Sequence, residues 1–151
     1  MATASNQHQP PHFQLKQLKF RWIPGKYAVC RLPAEASLPD WTLKASLISL
    51  TRTADEFSLI CPMDHLPPTA KAEGPWACIR LEGPFAFSEV GILAAFINPL
   101  AENGIPILAI STYDTDYVLV REDFAGLALA ALQKSGHELL NEDDSWRDLI
   151  T

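Results

Sequence analysis

The sequence predicts an α+β fold built from two tandem βαββαβ modules, the first of them degenerate. Three observations in the second half indicate this fold: a strand pattern at residues 77–81, an amphipathic helical pattern at 90–103, and a second helical pattern at 123–135 after two more strand-like runs. Strand, helix, strand, strand and helix make up most of a ferredoxin-like unit. Residues 137–140 are then expected to return as an edge strand.

The stretch 107–120 is the centre of this pattern. Apolar runs at 107–110 and 117–120 flank a polar turn, and two strand-like runs around such a turn are typical of a β-hairpin. The turn contains Ser111, Thr112, Tyr113, Asp114, Thr115 and Asp116. These side chains offer more hydrogen-bonding groups than a turn requires, so the turn is a candidate binding site.

The first half resembles the second in part. Its strand patterns lie at 18–22, 27–32, 47–50 and 57–60. The segments 50–60 and 110–120 match without a gap, which indicates an internal repeat whose copies can bury surfaces against each other. The helical segment between the repeated blocks is shorter in the first half. We therefore expect a degenerate first module, with strand 18–22 supplying what it lacks.

Composition and periodicity predict the domain boundaries. The predicted parts are a flexible tail at 1–12, a first module at 13–70, a second module at 71–140 and an acidic C-terminal tail at 141–151. The stretch 67–75 holds prolines and a glycine with little hydrophobicity, so it is the predicted linker between the modules.

Several residues predict where elements turn, begin or bend. Pro24-Gly25 predicts a turn between the first two strands. Ser88 and Asp123 precede the two helical patterns and are the residue types that cap helices. Pro99 lies inside the first helical pattern and is expected to kink it, because its ring clashes with the preceding turn.

Composition excludes several classes of function. The chain has 151 residues, a net charge of −6 and no cluster of lysine or arginine, so we expect neither a nucleic acid nor a membrane surface as partner. We see no apolar run long enough to span a bilayer and no secretory signal, so the predicted location is cytoplasmic. The 3 cysteines lack the spacing of a disulfide framework or a zinc site and are expected to be buried apolar residues.

Together, these segments of the sequence resemble a known family, the ACT domains of the CASTOR type. The similar segments in the second half are 80–84, 87–88, 90–94, 99–101 and 110–117, and those in the first half are 27–32 and 50–53. The resemblance implies tandem ACT-type modules, which are small regulatory domains that often bind amino acids and pair side by side through their sheets. The CASTOR relatives sense arginine in the eukaryotic cytosol. The resemblance thus implies binding rather than catalysis, with a free amino acid as ligand, arginine first, and a homodimer.

The candidate ligand-binding residues come from the first helix start and from the turn. They are Phe87, Ser88, Val90, Gly91, Ser111, Thr112, Tyr113, Asp114 and Asp116. Backbone N–H groups at a helix start favour a carboxylate, and a carboxylate side chain can hold an ammonium or a guanidinium. Structural roles also explain these residues: a helix cap for Ser88, turn formation for the aspartates, and core or interface packing for the aromatic residues.

No catalytic arrangement stands out in the sequence. The 4 histidines lie in tails or at element ends, and we see no nucleophile paired with a base and no glycine-rich phosphate loop. We expect no catalytic residue, no metal and no cofactor. The predicted function is a cytoplasmic amino-acid sensor that holds its ligand between modules. The alternative is a protein–protein interaction module with a vestigial ligand crevice, and a ferredoxin-like enzyme is a third hypothesis.

Overall fold

The computed structural model describes residues 16–66, 70–141 and 147–148. In this part of the chain one sheet has the strand order β2-β3-β1-β4-β6-β5, with β7 pairing with β1 outside that path. The strands are β1 Lys19–Leu32, β2 Ser49–Arg52, β3 Phe57–Pro62, β4 Lys71–Leu81, β5 Ile107–Ser111, β6 Asp116–Arg121 and β7 Glu138–Leu139. The helices are α1 Ile92–Glu102 and α2 Ala125–Lys134, with short 3₁₀ turns at Asp40–Lys44, Met63–His65 and Glu122–Phe124.

This architecture confirms the predicted α+β fold and the order of elements in the second half. Both helical patterns are α-helices, and the predicted return strand is β7. The predicted tail 1–12, part of the linker at 67–69 and most of the C-terminal tail lie outside the described residues. Within the described part, no helix is both long enough and apolar enough to span a membrane.

The long strand β1 differs from the prediction. It continues through Pro24-Gly25, where a turn was expected, and only its pairing with β4 becomes irregular between Ile23 and Tyr27. Its first half pairs with β4 on one side and with β7 on the other, whereas its second half pairs with β3 and the start of β4. The expectation that 18–22 completes the first module is wrong, because this strand lies among the elements of the second half.

The predicted linker is also shorter than expected. β4 begins at Lys71, and Lys71 and Ala72 pair with Arg31 and Cys30 of β1. Residues 71–75 are therefore strand, since the backbone groups of β1 are available there as hydrogen-bonding partners. Pro75 lies where the β1–β4 register shifts, a position at which a missing backbone donor is tolerated.

The largest core cluster lies between the sheet and the two helices. Its members on β1, β4 and β6 are Phe20, Trp22, Ala77, Ile79, Leu81, Val118 and Val120, and its main members on the helices are Ala95, Phe96, Leu100, Ala128 and Leu132. They alternate along the strands and recur at helical spacing, as expected for one buried face of each element. On the opposite face of the sheet, a second cluster contains Tyr27, Trp76, Cys78, Ile110 and Leu119.

The three cysteines are buried and free, as predicted. Burial raises the pKa of the Cys78 thiol to about 12. Burial, with the neighbouring Cys30 as a smaller cause, also raises the pKa of Cys61 to about 12. These thiols are protonated at neutral pH, so they act as small apolar core residues rather than nucleophiles.

Neither predicted helix cap forms. Helix α1 begins at Ile92 after Gly91, whose φ of 78° lies in the left-handed region that glycine adopts readily. Ser88 lies in the preceding loop, where the N–H of Glu89 donates to the carbonyl of Ala86. Asp123 belongs to the 3₁₀ turn Glu122–Phe124, and α2 begins after Phe124 without a side-chain cap. Gly91 and the 3₁₀ turn Glu122–Phe124 precede the two helices in place of the expected side-chain caps.

His137 links the first helix to the first strand. The backbone N–H of Leu18 donates to His137 Nδ1 at 3.1 Å, so the other ring nitrogen, Nε2, carries the proton and donates to the carbonyl of Ala95 at 3.1 Å. That carbonyl would normally accept from the residue four positions later, which is Pro99 and has no N–H. The histidine thus satisfies a buried carbonyl that the proline leaves open.

Burial lowers the pKa of His137, although its hydrogen bond to Ala95 works in the opposite direction. A lowered pKa in the folded state means that stability is complete above the unfolded-state pKa of about 6.5 and decreases as the pH falls below it. We expect the free energy of unfolding, measured in urea, to decrease between pH 7 and pH 5. His137→Gln should be less stable at pH 7 by about 1–3 kcal/mol and show a shallower decrease.

The control is His65→Gln, which replaces a histidine stacked on Trp41 and leaves His137 in place. This variant should keep the pH dependence of the unsubstituted protein. An unchanged pH dependence in His137→Gln would contradict the assignment.

The two hairpins have turns with the same hydrogen bonds. In β2–β3 the N–H of Thr53 donates to the carbonyl of Glu56 at 2.8 Å, and in β5–β6 the N–H of Thr112 donates to the carbonyl of Thr115 at 2.8 Å. Each threonine hydroxyl also accepts from the last N–H of its turn. The turns therefore correspond as 53–56 and 112–115, one residue away from the gapless match predicted between 50–60 and 110–120.

Candidate functional site

The loop after β4 and the turn of the β5–β6 hairpin meet at one edge of the sheet. The N–H of Phe85 donates to the carbonyl of Asp114 at 2.8 Å. The buried hydroxyl of Thr115 donates to the carbonyl of Leu81 at 2.8 Å. These two hydrogen bonds hold the loop and the turn together, and a cavity of about 210 Å³ lies beside them.

Gly83 makes this approach possible. A Cβ atom at this position would lie 2.8 Å from the carbonyl oxygen of Asp114 and 3.2 Å from the Cβ of Thr115. Both distances are too short for ordinary contact with backbone and a buried side chain. The close packing of loop and turn therefore requires glycine at this position.

The structure brings most of the predicted ligand-binding residues to this cavity. Those that line it are Phe87, Ser111, Thr112, Tyr113, Asp114 and Asp116. Ser88, Val90 and Gly91 lie in the same loop but are not among the lining residues. From this loop Phe87 and Glu89 line the cavity. The expected helix start is absent there, because α1 begins only at Ile92 and the N–H of Glu89 already donates to the carbonyl of Ala86.

Further lining residues were not predicted from the sequence. They are Phe85, Ala86, Glu89, Ile92 and Thr115. Two of them could have been predicted from the sequence. Thr115 lies inside the candidate turn, and Glu89 is an acidic residue just before a helical pattern. Phe85 and Ile92 could not have been predicted, because each reads as an ordinary apolar residue of the loop or helix.

The cavity lining is acidic. Glu89, Asp114 and Asp116 contribute carboxylates, whereas the lining contains neither lysine nor arginine. Asp116 Oδ1 accepts from the Ser111 hydroxyl at 2.6 Å, and Glu89 Oε2 accepts from the N–H of Ala86 at 2.6 Å. The Lys16 ammonium lies 3.6 Å from the other Glu89 oxygen. Such a lining favours a cationic group over an anionic one.

Two aromatic side chains form an exposed wall of the cavity. The rings of Phe87 and Tyr113 lie edge to face, with centroids 5.1 Å apart, and the two residues are 77% and 80% exposed. Aromatic faces attract ammonium and guanidinium groups. The wall and the carboxylates therefore match the same class of ligand group.

Comparisons with known proteins relate the chain to a family. A family model described as an ACT domain matches residues 71–134, and a second model, of an N-terminal domain, matches residues 25–69. The solved structure of protein Atu0741 from Agobacterium tumefaciens has 38% sequence identity and a TM-score of 0.80, and the match covers 85% of this chain and 96% of that one. The chain belongs to the family of Atu0741, and its residues 71–134 form an ACT domain.

The ACT domain also relates the chain to regulatory proteins. The cytosolic arginine sensor for mTORC1 subunit 1 of Mus musculus is 32% identical over 114 residues, a match that covers 74% of this chain and 34% of the sensor. The chain thus spans about a third of the length of these curated relatives. The regulatory subunit of aspartate kinase from Thermus flavus, at 12% identity and a TM-score of 0.56, shares the fold.

We expect Gly83→Ala to lower the free energy of unfolding by about 1–3 kcal/mol, the usual cost of overpacking. The added methyl group would push the ACT domain's loop away from the turn. The measurement is urea unfolding followed by tryptophan fluorescence. The matched control is Gly126→Ala in α2, where a Cβ meets nothing within 4 Å. That variant should gain up to about 1 kcal/mol from helix propensity, and equal stability of the two variants would contradict the packing role of Gly83.

Proposed function

We propose that this protein is an amino-acid-binding regulatory sensor of the cytoplasm and not an enzyme. The observation that carries this proposal is the acidic and aromatic cavity between the loop and the turn of the ACT domain. The lining contains carboxylates, hydroxyls and aromatic rings, which suit recognition of a small charged molecule. The similarity to a cytosolic arginine sensor supports the same class of function.

The first candidate ligand is free arginine. Its guanidinium can pair with the carboxylates of Asp114 and Asp116 and lie against Tyr113. The backbone N–H of Phe87, a lining residue, makes no hydrogen bond within the described residues and is available to an α-carboxylate, and Ser88 beside it remains a predicted contact. Val90 and Gly91 remain predicted contacts, because they belong to the same loop.

We also propose that the chain consists of two ACT-type modules, a degenerate one at 13–70 and one at 71–140 that the first half of β1 completes. The equivalent hairpin turns support this division, as does the family model that matches the first half separately. In the first half, short 3₁₀ turns occupy the described connections where the second half has α-helices. The ligand is then held at the edge where the complete module faces another module.

An interaction module with a vestigial crevice is the less favoured alternative. Specific hydrogen bonds hold the loop against the turn, and a cavity stays open beside them rather than a filled contact. The similarity to an arginine sensor also favours ligand binding.

The binding test is calorimetry against the twenty amino acids, beginning with L-arginine. We expect arginine to bind, and Asp114→Asn and Asp116→Asn each to weaken binding about tenfold or more, because each removes a charge-assisted hydrogen bond. Thermal unfolding should show a matching loss of ligand-induced stabilisation.

The matched control is Asp123→Asn, which neutralises an exposed carboxylate outside the cavity. Arginine affinity should be unchanged in this variant. Absence of binding by every amino acid at millimolar concentration, or equal effects of all three substitutions, would contradict the sensor proposal.

We further propose that the protein forms a homodimer through a sheet edge. Strand β5 is at one end of the strand order, so among the described residues one side of it has no strand partner. Light scattering after size exclusion should give the mass of a dimer, and Ala109→Lys on β5 should shift the mass toward a monomer because edge lysines oppose pairing. A monomer at all concentrations would contradict this proposal.

A further inference from the structure

A second cavity, of about 290 Å³, lies in the first half of the chain. Its lining residues are Arg31, Leu32, Pro33, Ala34, Asp55 and Lys71. Like the cavity of the ACT domain, it lies between the residues that follow a central strand and the turn of a hairpin. Here the strand is β1 and the hairpin is β2–β3.

The two cavities occupy corresponding places. The turns 53–56 and 112–115 have the same hydrogen bonds, so Asp55 corresponds to Asp114. Arg31 pairs with Ser58 and Arg80 pairs with Tyr117, in each case the second residue after the turn. The two halves of the chain therefore have concave sheet edges with the same backbone arrangement.

The charges of the second cavity differ from those of the first. Arg31 and Lys71 lie directly opposite each other on antiparallel strands, an arrangement of like charges that is unfavourable by itself. The Arg31 guanidinium is held at the turn, 3.3 Å from the carbonyl of Asp55 and 3.6 Å from the Glu56 carboxylate. In the described part of the chain, neither the Lys71 ammonium nor the Asp55 carboxylate has a hydrogen-bonding or ionic partner.

We propose that this cavity is a second binding site, for the zwitterion of an α-amino acid with a small or apolar side chain. An α-carboxylate between Arg31 and Lys71 pairs with the Lys71 ammonium and accepts charge-assisted hydrogen bonds from it and from the Arg31 guanidinium, which Glu56 neutralises in part. The Asp55 carboxylate pairs with the α-ammonium. Leu32, Pro33 and Ala34 contact the side chain. A simple anion would leave the Asp55 carboxylate facing it, so a molecule with both charges fits the lining better.

This site is independent of the sensor function proposed for the first cavity. The first cavity has carboxylates and no basic residue, which favours a cationic side chain. The second has both signs of charge beside an apolar wall. The two sites thus select different amino acids, and a failure of one leaves the other intact.

The test is a nuclear magnetic resonance titration of the full chain with L-alanine. We expect concentration-dependent shifts of the amides of Leu32, Ala34, Asp55 and Lys71, with the ACT-domain turn unaffected. N-acetyl-L-alanine lacks the ammonium and L-alaninamide lacks the carboxylate, so each should bind about tenfold or more weakly.

Lys71→Gln and Asp55→Asn should each weaken L-alanine binding about tenfold, because each removes one charge-assisted contact. Lys44→Gln, an exposed lysine outside the cavity, is the matched control and should bind normally. Asp114→Asn should also bind L-alanine normally, which separates this site from the first.

Three outcomes would overturn the proposal. One is the absence of shifts at tens of millimolar L-alanine. Another is equal binding by the amide or the N-acetyl derivative. The third is a response to inorganic phosphate that Asp55→Asn strengthens, which would make the cavity a simple anion site.

Discussion

The packing of α1 on the sheet depends on one buried histidine. Pro99 removes a backbone donor from the helix, and a buried carbonyl without a partner would be costly. His137 supplies the missing donor to Ala95 and accepts from Leu18 with its other nitrogen. Because His137 precedes β7 and Leu18 precedes β1, the same ring ties the helix to both strands. The helix in turn fixes where the loop ending at Gly91 can run.

The cavity of the ACT domain follows from this arrangement. Its loop runs from the end of β4 to the start of α1, and both ends are fixed by the core. The loop can then approach the hairpin turn only where Gly83 leaves room, and two hydrogen bonds keep it there. A space lined by three carboxylates and two exposed aromatic rings remains between loop and turn. Carboxylates and aromatic rings both interact favourably with cationic groups.

The recurrence of the same turn in the first half gives the molecule two concave edges with different charges. The backbone pattern, set by a threonine that bonds across each turn, is the same in both. The side chains that line each cavity differ, since the charged groups of one edge are all carboxylates and those of the other are an arginine, a lysine and an aspartate. The two edges therefore present groups of different charge on a similar backbone frame.

The sequence alone determined the elements of the second half and the turn that contributes half of the first cavity. Apolar periodicities of 2 and 3.6 residues are local properties, and so is the preference of Ser, Thr and Asp for turns. Tertiary structure decided the shared strand β1, the late start of α1 and the presence of Glu89 and Phe85 at the cavity. These depend on backbone partners and on a proline and a histidine 38 positions apart in the chain. No pattern within a short window can show which distant carbonyl a histidine will satisfy.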